Sequence, residues 1–153
     1  PDLQFSLTDD SGKPATEAAF KGKIVLLYFG FTQCPDQCPL TMGKLNGVLK
    51  KLGPQVDQAH VLFVSVDPKH DQPKELKNFI SAFDPTHMTG FTGSEKQIEN
   101  IAKRYRIGYE ARQDGVVHSN AVFIFDREGH ARLLFESDAK DDAIIHDLRQ
   151  LLS

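Results

Sequence analysis

Two short stretches of continuous apolar residues predict the central strands of a sheet. Residues 23–29 read KIVLLYF and residues 60–67 read HVLFVSVD. Apolar runs of this length, without polar alternation, are typical of parallel strands that are buried on both faces. Near the N-terminus, apolar and polar residues instead alternate over residues 3–7 and the pattern breaks at residues 9–12 (DDSG), which predicts a β-hairpin.

Apolar residues at helical spacing predict four helices. Each helix has an apolar stripe, and the third opens with a capping box formed by Ser94 and Gln97. The stripes are Cys38, Met42, Leu45, Leu49 and Leu52; Leu76, Phe79, Ile80 and Phe83; Ile98, Ile101, Ala102 and Tyr105; and Ile144, Ile145, Leu148, Leu151 and Leu152. The first helix is expected to end near Gly53, and the last to begin at about Asp141. Before the last helix, residues 116–126 and 131–136 are expected to form strands joined by a short turn.

The order of these elements predicts the fold. Strand, helix, strand, helix, helix, hairpin and helix is the order of a thioredoxin-like α/β sandwich of three layers, here with an added N-terminal β-hairpin and an inserted helix. At 153 residues, of which 40% are hydrophobic, the chain is long enough to bury one core without disulfides. We therefore expect a single domain over residues 1–153.

Charge and hydropathy exclude several classes of function. Charged residues make up 25% of the chain and leave a net charge of −3, so neither a nucleic-acid footprint nor a polybasic membrane patch is expected. The longest apolar runs have the length of strands and fall far short of the ~20 residues of a transmembrane helix. The chain begins at Pro1 without a methionine, as expected of a mature or trimmed fragment.

Both cysteines of the chain lie in one segment, FGFTQCPDQCP, at positions 34 and 38. Pro35 suits the first turn of a helix, which places Cys34 at a helix N-terminus, where peptide N–H groups and the helix dipole favour a thiolate. Residues four apart on a helix have Cβ atoms about 5–6 Å apart, so the two sulfurs can converge. That geometry suits a disulfide as well as it suits two thiolate ligands for one metal ion, and it does not choose between them.

A histidine later in the chain favours the metal. Thioredoxin-like oxidoreductases place a cis-proline opposite their redox cysteines, but this chain has no proline after Pro85, and His118 stands in the strand that opens the last hairpin. Two thiolates and one imidazole suit copper, whereas structural zinc takes four ligands. By itself, a lone histidine in a strand is more often a partly buried polar residue. The other five histidines are assigned to the surface: His60, His70, His87, His130 and His146.

Asp67 ends the second central strand, in the segment VSVDP. An aspartate before a proline is a common turn-forming residue. However, the C-terminal ends of strands in an open α/β sheet face the ligand crevice. A second interpretation is therefore that Asp67 supports the metal site by a hydrogen bond to one of the metal ligands. The sequence leaves both interpretations open.

Three segments together resemble a known family. FGFTQCPDQCP, VSVDPKHDQP and VVHSNAVFIFDREG are similar, in order and spacing, to the signature segments of the Sco/SenC proteins. The resemblance implies a thioredoxin-like fold, copper as Cu(I) or Cu(II) held by Cys34, Cys38 and His118, and Asp67 as the matching acidic residue. It also implies a metallochaperone that helps to assemble the dinuclear copper site of cytochrome c oxidase.

The resemblance further implies partners and a location. The expected partners are the copper-site subunit of the oxidase and a periplasmic copper chaperone or thioredoxin-like reductant. The expected location is the periplasmic side of the bacterial inner membrane, through an N-terminal anchor missing from this chain, or else the mitochondrial intermembrane space. Two positions depart from the family pattern, because many relatives have His at Gln33 and Asp at Val117.

Two other functions stay open beside the metallochaperone. One is an enzyme, a thiol-disulfide reductase in which Cys34 and Cys38 are redox-active thiols that keep the copper-site cysteines of the oxidase reduced. The other is a redox-sensing or interaction domain with a structural disulfide, which predicts neither stoichiometric metal binding nor an effect of changing His118. The sequence therefore leaves open whether this protein is an enzyme.

Overall fold

A computed structural model describes residues 1–33, 37–107, 111–112, 115–116, 121–136 and 138–153. Its strands are β1 (Ser6–Asp9), β2 (Pro14–Thr16), β3 (Ile24–Gly30), β4 (Ala59–Ser65), β5 (Met88–Thr92), β6 (Ala111–Arg112), β7 (Gly115–Val116), β8 (Ala121–Phe125) and β9 (Ala131–Glu136). Its α-helices are α1 (Gln37–Lys51), α2 (Pro73–Ser81), α3 (Glu95–Arg104) and α4 (Asp141–Leu152). Short 3₁₀ helices cover Glu17–Phe20 and Gly53–Gln58.

Seven strands form one sheet in the order β2-β1-β5-β4-β3-β8-β9. The three central strands, β3, β4 and β5, run parallel, and the flanking pairs are antiparallel. Strand β3 lies in the interior of the sheet and is buried at every position from Ile24 to Gly30, as its apolar run predicts. The N-terminal hairpin is confirmed by the antiparallel pairing of β1 with β2. Strands β6 and β7 form a separate small hairpin.

Helices cover both faces of this sheet. Successive side chains of a strand point to opposite sides, so a strand of continuous apolar residues has two apolar faces to bury. On one face, Leu26 and Tyr28 of β3 pack in a core with residues of α1, α2 and α4. On the other, Leu27 and Phe29 pack with residues of α3 and of the N-terminal segment. The predicted α/β sandwich of three layers is confirmed. In the described part of the chain, no helix is long and apolar enough to cross a membrane.

The sequence did not predict β5, whose residues MTGFT lack the apolar run of its neighbours. The strand forms because β4 pairs with it in parallel and β1 pairs with its other edge. Gly90 lets α2 pack closely on the strand, since a Cβ atom at this position would lie 3.0 Å from Leu76 Cβ on α2. Tertiary packing, rather than local strand propensity, therefore explains this strand.

The predicted helices are confirmed, including the cap of α3. The Ser94 side chain accepts a hydrogen bond from the Gln97 amide, and the Gln97 side chain accepts one from the Ser94 amide. This reciprocal pair satisfies two N–H groups that have no partner within the helix. Pro39 also fits its helix, because it lies in the first turn of α1, where a missing N–H leaves no helical hydrogen bond unmade.

Two histidines assigned to the surface are partly buried instead. The His87 side chain is 15% exposed, and its two ring nitrogens each lie 2.8 Å from a carboxylate oxygen, Nδ1 from Asp84 and Nε2 from Asp57. His60 Nε2 lies 2.7 Å from Thr89 Oγ1, and its ring stacks at a tilt on Phe20. The two rings sit at the N-terminal ends of β4 and β5.

These two histidines respond to pH in opposite directions. Burial, followed by the charges of Lys23 and His87, lowers the pKa of His60 from 6.5 to about 4. Burial also disfavours the His87 cation, but its hydrogen bonds to Asp57 and Asp84 outweigh burial and raise the pKa of that ring. His87 therefore stabilises the fold fully below pH ~6.5, and this contribution is lost as the pH rises through its folded-state pKa.

His60 limits stability on the acid side. As the pH falls from 6.5 toward 4, the unfolded chain takes up a proton that the folded chain does not, so the free energy of unfolding falls. Between pH 6.5 and 4.5, we expect His60→Gln to remove roughly 2 kcal/mol of this fall in the free energy of unfolding, at about 1.4 kcal/mol per pKa unit. Urea unfolding across that pH range measures the effect.

The control is His146→Gln, since His146 is exposed on α4. That variant should keep the wild-type dependence of unfolding free energy on pH. If the unfolding free energy of His60→Gln falls as steeply below pH 6.5 as that of the wild type, His60 is not the cause of this fall.

Candidate metal centre

Strands β3 and β4 end together, and this shared end positions the candidate site. They pair in parallel with Gly30 opposite Ser65, and the Val66 amide donates a 2.8 Å hydrogen bond to the Gly30 carbonyl. The chain after β3 leads to Cys34, and the chain after β4 leads to Asp67. The C-terminal ends of parallel strands are where open α/β sheets bind ligands.

Cys38 is the second residue of α1 and is completely buried. Its Sγ atom accepts a hydrogen bond from the buried Tyr28 hydroxyl of β3, at 3.7 Å. A Cβ atom at Gly30 would lie 2.6 Å from Cys38 Sγ and 3.0 Å from Phe63 Cε1. Only glycine at position 30 lets this thiol lie so close to the end of β3.

Cys38 is the one predicted metal ligand that falls within the described residues. Cys34 and His118 lie outside them, so the predicted three-ligand set stays a prediction. Within the described ranges, no group of three His, Cys, Asp or Glu side chains is arranged to hold a metal ion. The donor chemistry at Cys38 nevertheless fits the predicted metal, because a cysteine sulfur is a soft ligand of the kind that selects Cu(I).

Asp67 lies just beyond β4, and its side chain is 13% exposed. Its carboxylate oxygen Oδ2 lies 2.8 Å from His70 Nδ1, and its amide donates to Ser65 Oγ at 3.1 Å. Its carbonyl accepts the amides of His70 and Asp71, which closes a turn. The turn-forming interpretation of Asp67 thus has direct support in these contacts, while support of metal ligands stays a prediction.

The sequence patterns do not point to a second carboxylate of the same segment, Asp71. It is completely buried and accepts hydrogen bonds from the Thr32 amide at 2.9 Å, from the Thr32 hydroxyl, and from Ser65 Oγ at 2.6 Å. Thr32 is two residues before Cys34. The sequence signal was faint: a second acid four residues after Asp67 and two before Pro73, the first residue of α2.

The two positions that depart from the family pattern differ in what the structure describes. Gln33 is an exposed turn residue, directly after the Thr32 that Asp71 holds. Val117 lies outside the described residues. Because position 33 is exposed to solvent, glutamine can replace the histidine of many relatives there without a change in packing.

Comparison with known proteins places this geometry in a family. A family model described as SCO1/SenC matches residues 2–153. The mouse mitochondrial SCO2 homolog is 34% identical over 154 residues, which cover 95% of this chain and 60% of the mouse protein. This chain thus spans less than two thirds of the length of that relative.

Solved structures match this chain over nearly its full length. The structure of Bradyrhizobium japonicum ScoI with copper bound superposes with a TM-score of 0.87 at 32% identity and covers 98% of both chains. The structure of BsSco, in which a disulfide switch was identified, superposes with a TM-score of 0.83 at 26% identity and covers 99% of this chain and 93% of that one. BsSco is described as a member of the Sco family of cytochrome c oxidase assembly proteins.

The family match extends over nearly the whole chain, and these structures share its arrangement of sheet and helices. In the described part of the chain, residues 29–33 and 64–73 of the first two motif segments lie at the ends of β3 and β4, where the candidate site is found. The chain therefore belongs to the SCO1/SenC family.

Proposed function

We propose that this chain is a copper metallochaperone that holds copper through Cys34, Cys38 and His118 and passes it to the dinuclear copper site of cytochrome c oxidase. The observation that carries the proposal is the setting of Cys38. Its buried sulfur lies against Gly30 at the shared end of β3 and β4. The related B. japonicum ScoI was solved with copper bound, which supports copper as the metal.

Each proposed ligand contributes in a different way. The two cysteine thiolates supply soft ligands that favour Cu(I), and the imidazole of His118 serves either oxidation state. The Tyr28 hydroxyl donates to Cys38 Sγ, which orients that sulfur and stabilises negative charge on it. Transfer then proceeds by ligand exchange, in which donor groups of the acceptor replace the ligands of this chain one at a time.

The same relatives support a proposal for the location of the protein in the cell. Mouse SCO2 homolog is mitochondrial and B. japonicum ScoI is bacterial. We propose that this single domain works on the periplasmic side of the bacterial inner membrane, tethered by a preceding anchor, with the mitochondrial intermembrane space as the alternative. The proposed partners are the copper-site subunit of the oxidase and a copper chaperone or thioredoxin-like reductant of the same compartment.

A second candidate function is a thiol-disulfide reductase that keeps the copper-site cysteines of the oxidase reduced. The disulfide switch of BsSco is the observation that favours it. The two functions use the same sulfurs, and copper binding needs them reduced. They differ in their need for His118, which only the metal site requires.

Metal binding is tested by titrating the reduced protein with Cu(I) against a chelator competitor and with Cu(II) while recording the thiolate charge-transfer band. We expect one copper per chain in the wild type. His118→Ala should lower the affinity by at least about tenfold, the loss expected when a metal site is perturbed even through an outer partner. His146→Ala, on an exposed position of α4, is the matched control. An unchanged affinity and spectrum in His118→Ala would exclude the three-ligand site.

Gly30→Ala tests the contact between Gly30 and Cys38. The added Cβ would overlap Cys38 Sγ at 2.6 Å, so the thiol must move. We expect a loss of about 1–3 kcal/mol in unfolding free energy, as for other overpacked cores, together with weaker copper binding. Thermal unfolding and the copper titration measure the two effects.

Gly43→Ala on α1, the helix that carries Cys38, is the control, because a Cβ at position 43 meets nothing within 4 Å. That variant should gain about 0.5–1 kcal/mol, since alanine is favoured over glycine inside a helix. If Gly30→Ala binds copper as tightly as Gly43→Ala, the close approach does not position the ligand.

His118→Ala also separates chaperone from reductase, because it leaves both thiols in place. In cells that lack the native factor, the chaperone function predicts that this variant fails to restore oxidase assembly. The reductase function predicts that it restores assembly, while Cys34→Ser does not. Restoration of assembly by Cys34→Ser itself would exclude both functions as stated.

A further inference from the structure

Asp71 is a buried carboxylate whose partners are neutral. It has no exposed surface, and among the described residues its hydrogen bonds come from an amide and two hydroxyl groups. The other buried carboxylate of the described chain, Asp126, lies 3.2 Å from Arg132. Burial of an ionised carboxylate is unfavourable unless hydrogen bonds replace its hydration. Asp71 thus depends on Thr32 and Ser65.

The hydrogen bonds join three segments at the edge where β3 and β4 end. Thr32 follows β3, Ser65 is the last residue of β4, and Asp71 precedes α2. Ser65 is already held by its place in the strand, opposite Gly30. Thr32 has left its strand and lies in a turn, so it has no strand partner to hold it.

Thr32 is bound at two points. Its amide donates to Asp71 Oδ2, and its hydroxyl donates to Asp71 Oδ1. Two hydrogen bonds to the two oxygens of one carboxylate fix both the backbone and the side chain of this residue. The chain reaches Cys34 after one further residue, Gln33.

From this geometry we propose that Asp71 is a positioning residue for the proposed copper site. It holds Thr32 and so fixes where the chain leaves β3 toward Cys34. This inference rests on the proposed function for its copper readout, but the anchoring of Thr32 can be measured without metal. Its role is distinct from that of Asp67, whose carboxylate faces His70 in the turn.

Thr32 and Ser65 offer a matched pair of variants, because each gives Asp71 one hydroxyl hydrogen bond. Thr32→Val keeps the shape of the side chain and removes the hydroxyl bond to Asp71, while the bond from the amide of residue 32 stays in place. Ser65→Ala removes the bond to a residue that the sheet already holds. Thr32→Ser restores a hydroxyl at position 32.

The first measurement is Cu(I) affinity of the reduced protein. We expect Thr32→Val to lower it about tenfold, at the low end of the effect of losing a hydrogen bond around a metal site, because the amide of residue 32 still binds Asp71. Ser65→Ala and Thr32→Ser should stay within about twofold of the wild type. Equal losses in Thr32→Val and Ser65→Ala would overturn the proposal, since both variants then act only through stability.

The second measurement is amide hydrogen exchange of the reduced, metal-free protein. Asp71→Asn replaces an acceptor oxygen by a donor, and we expect exchange of the Thr32 amide, which bonds Asp71, to rise at least about tenfold relative to Ser65→Ala, as for loss of a local hydrogen bond. Protection of the Thr32 amide in Asp71→Asn would overturn the proposal. If wild-type protein binds no copper, the proposed function fails, while this exchange experiment still decides whether Asp71 anchors the segment. Should Thr32→Val fail to fold, it decides the question alone.

Discussion

The structure depends on strand β3, which is buried on both faces and paired along both edges. All seven of its residues pair with β4 in parallel register, and Val25 to Tyr28 pair with β8 in antiparallel register. Every side chain of the strand is therefore fixed by a helix layer, either that of α1, α2 and α4 or that of α3. A strand held in this way ends at a defined point. Both the cysteine segment and the β4 loop are placed relative to that point.

At the end of β3, a glycine allows the Cys38 sulfur to pack closely against the strand. Gly30 leaves space for the Cys38 sulfur, and Tyr28, two residues earlier on the same strand, reaches that sulfur with its hydroxyl. Since side chains two apart on a strand share a face, both residues act on Cys38 from one side. The sheet and α1 are thus joined at the residue proposed to bind metal.

Much of the fold could be predicted because its signals are local. The apolar runs of β3 and β4, the apolar stripes of the helices and the Ser94 cap all appear in the sequence as periodicity or spacing. Strand β5 could not be predicted in that way, because Gly90 and its threonine neighbours become a strand only when β4 and α2 pack on them.

The candidate site shows the same division. Cys38 could be assigned to the buried face of its helix from the spacing of its apolar neighbours. Asp71 could not be identified, since an acidic residue before a helix is ordinarily exposed and only the tertiary structure buries it against Thr32 and Ser65. His87 was assigned wrongly to the surface for a related reason, because its carboxylate partners Asp57 and Asp84 are brought together by the fold.

The burial of Cys38 also constrains how cargo would leave the proposed site. Its residue has no exposed surface, and the sulfur lies close to Gly30 and to the Tyr28 hydroxyl. An incoming ligand of an acceptor protein cannot approach that sulfur from solvent in this arrangement. Ligand exchange would therefore begin at another of the proposed ligands, and Cys38 would release the metal only after that first exchange.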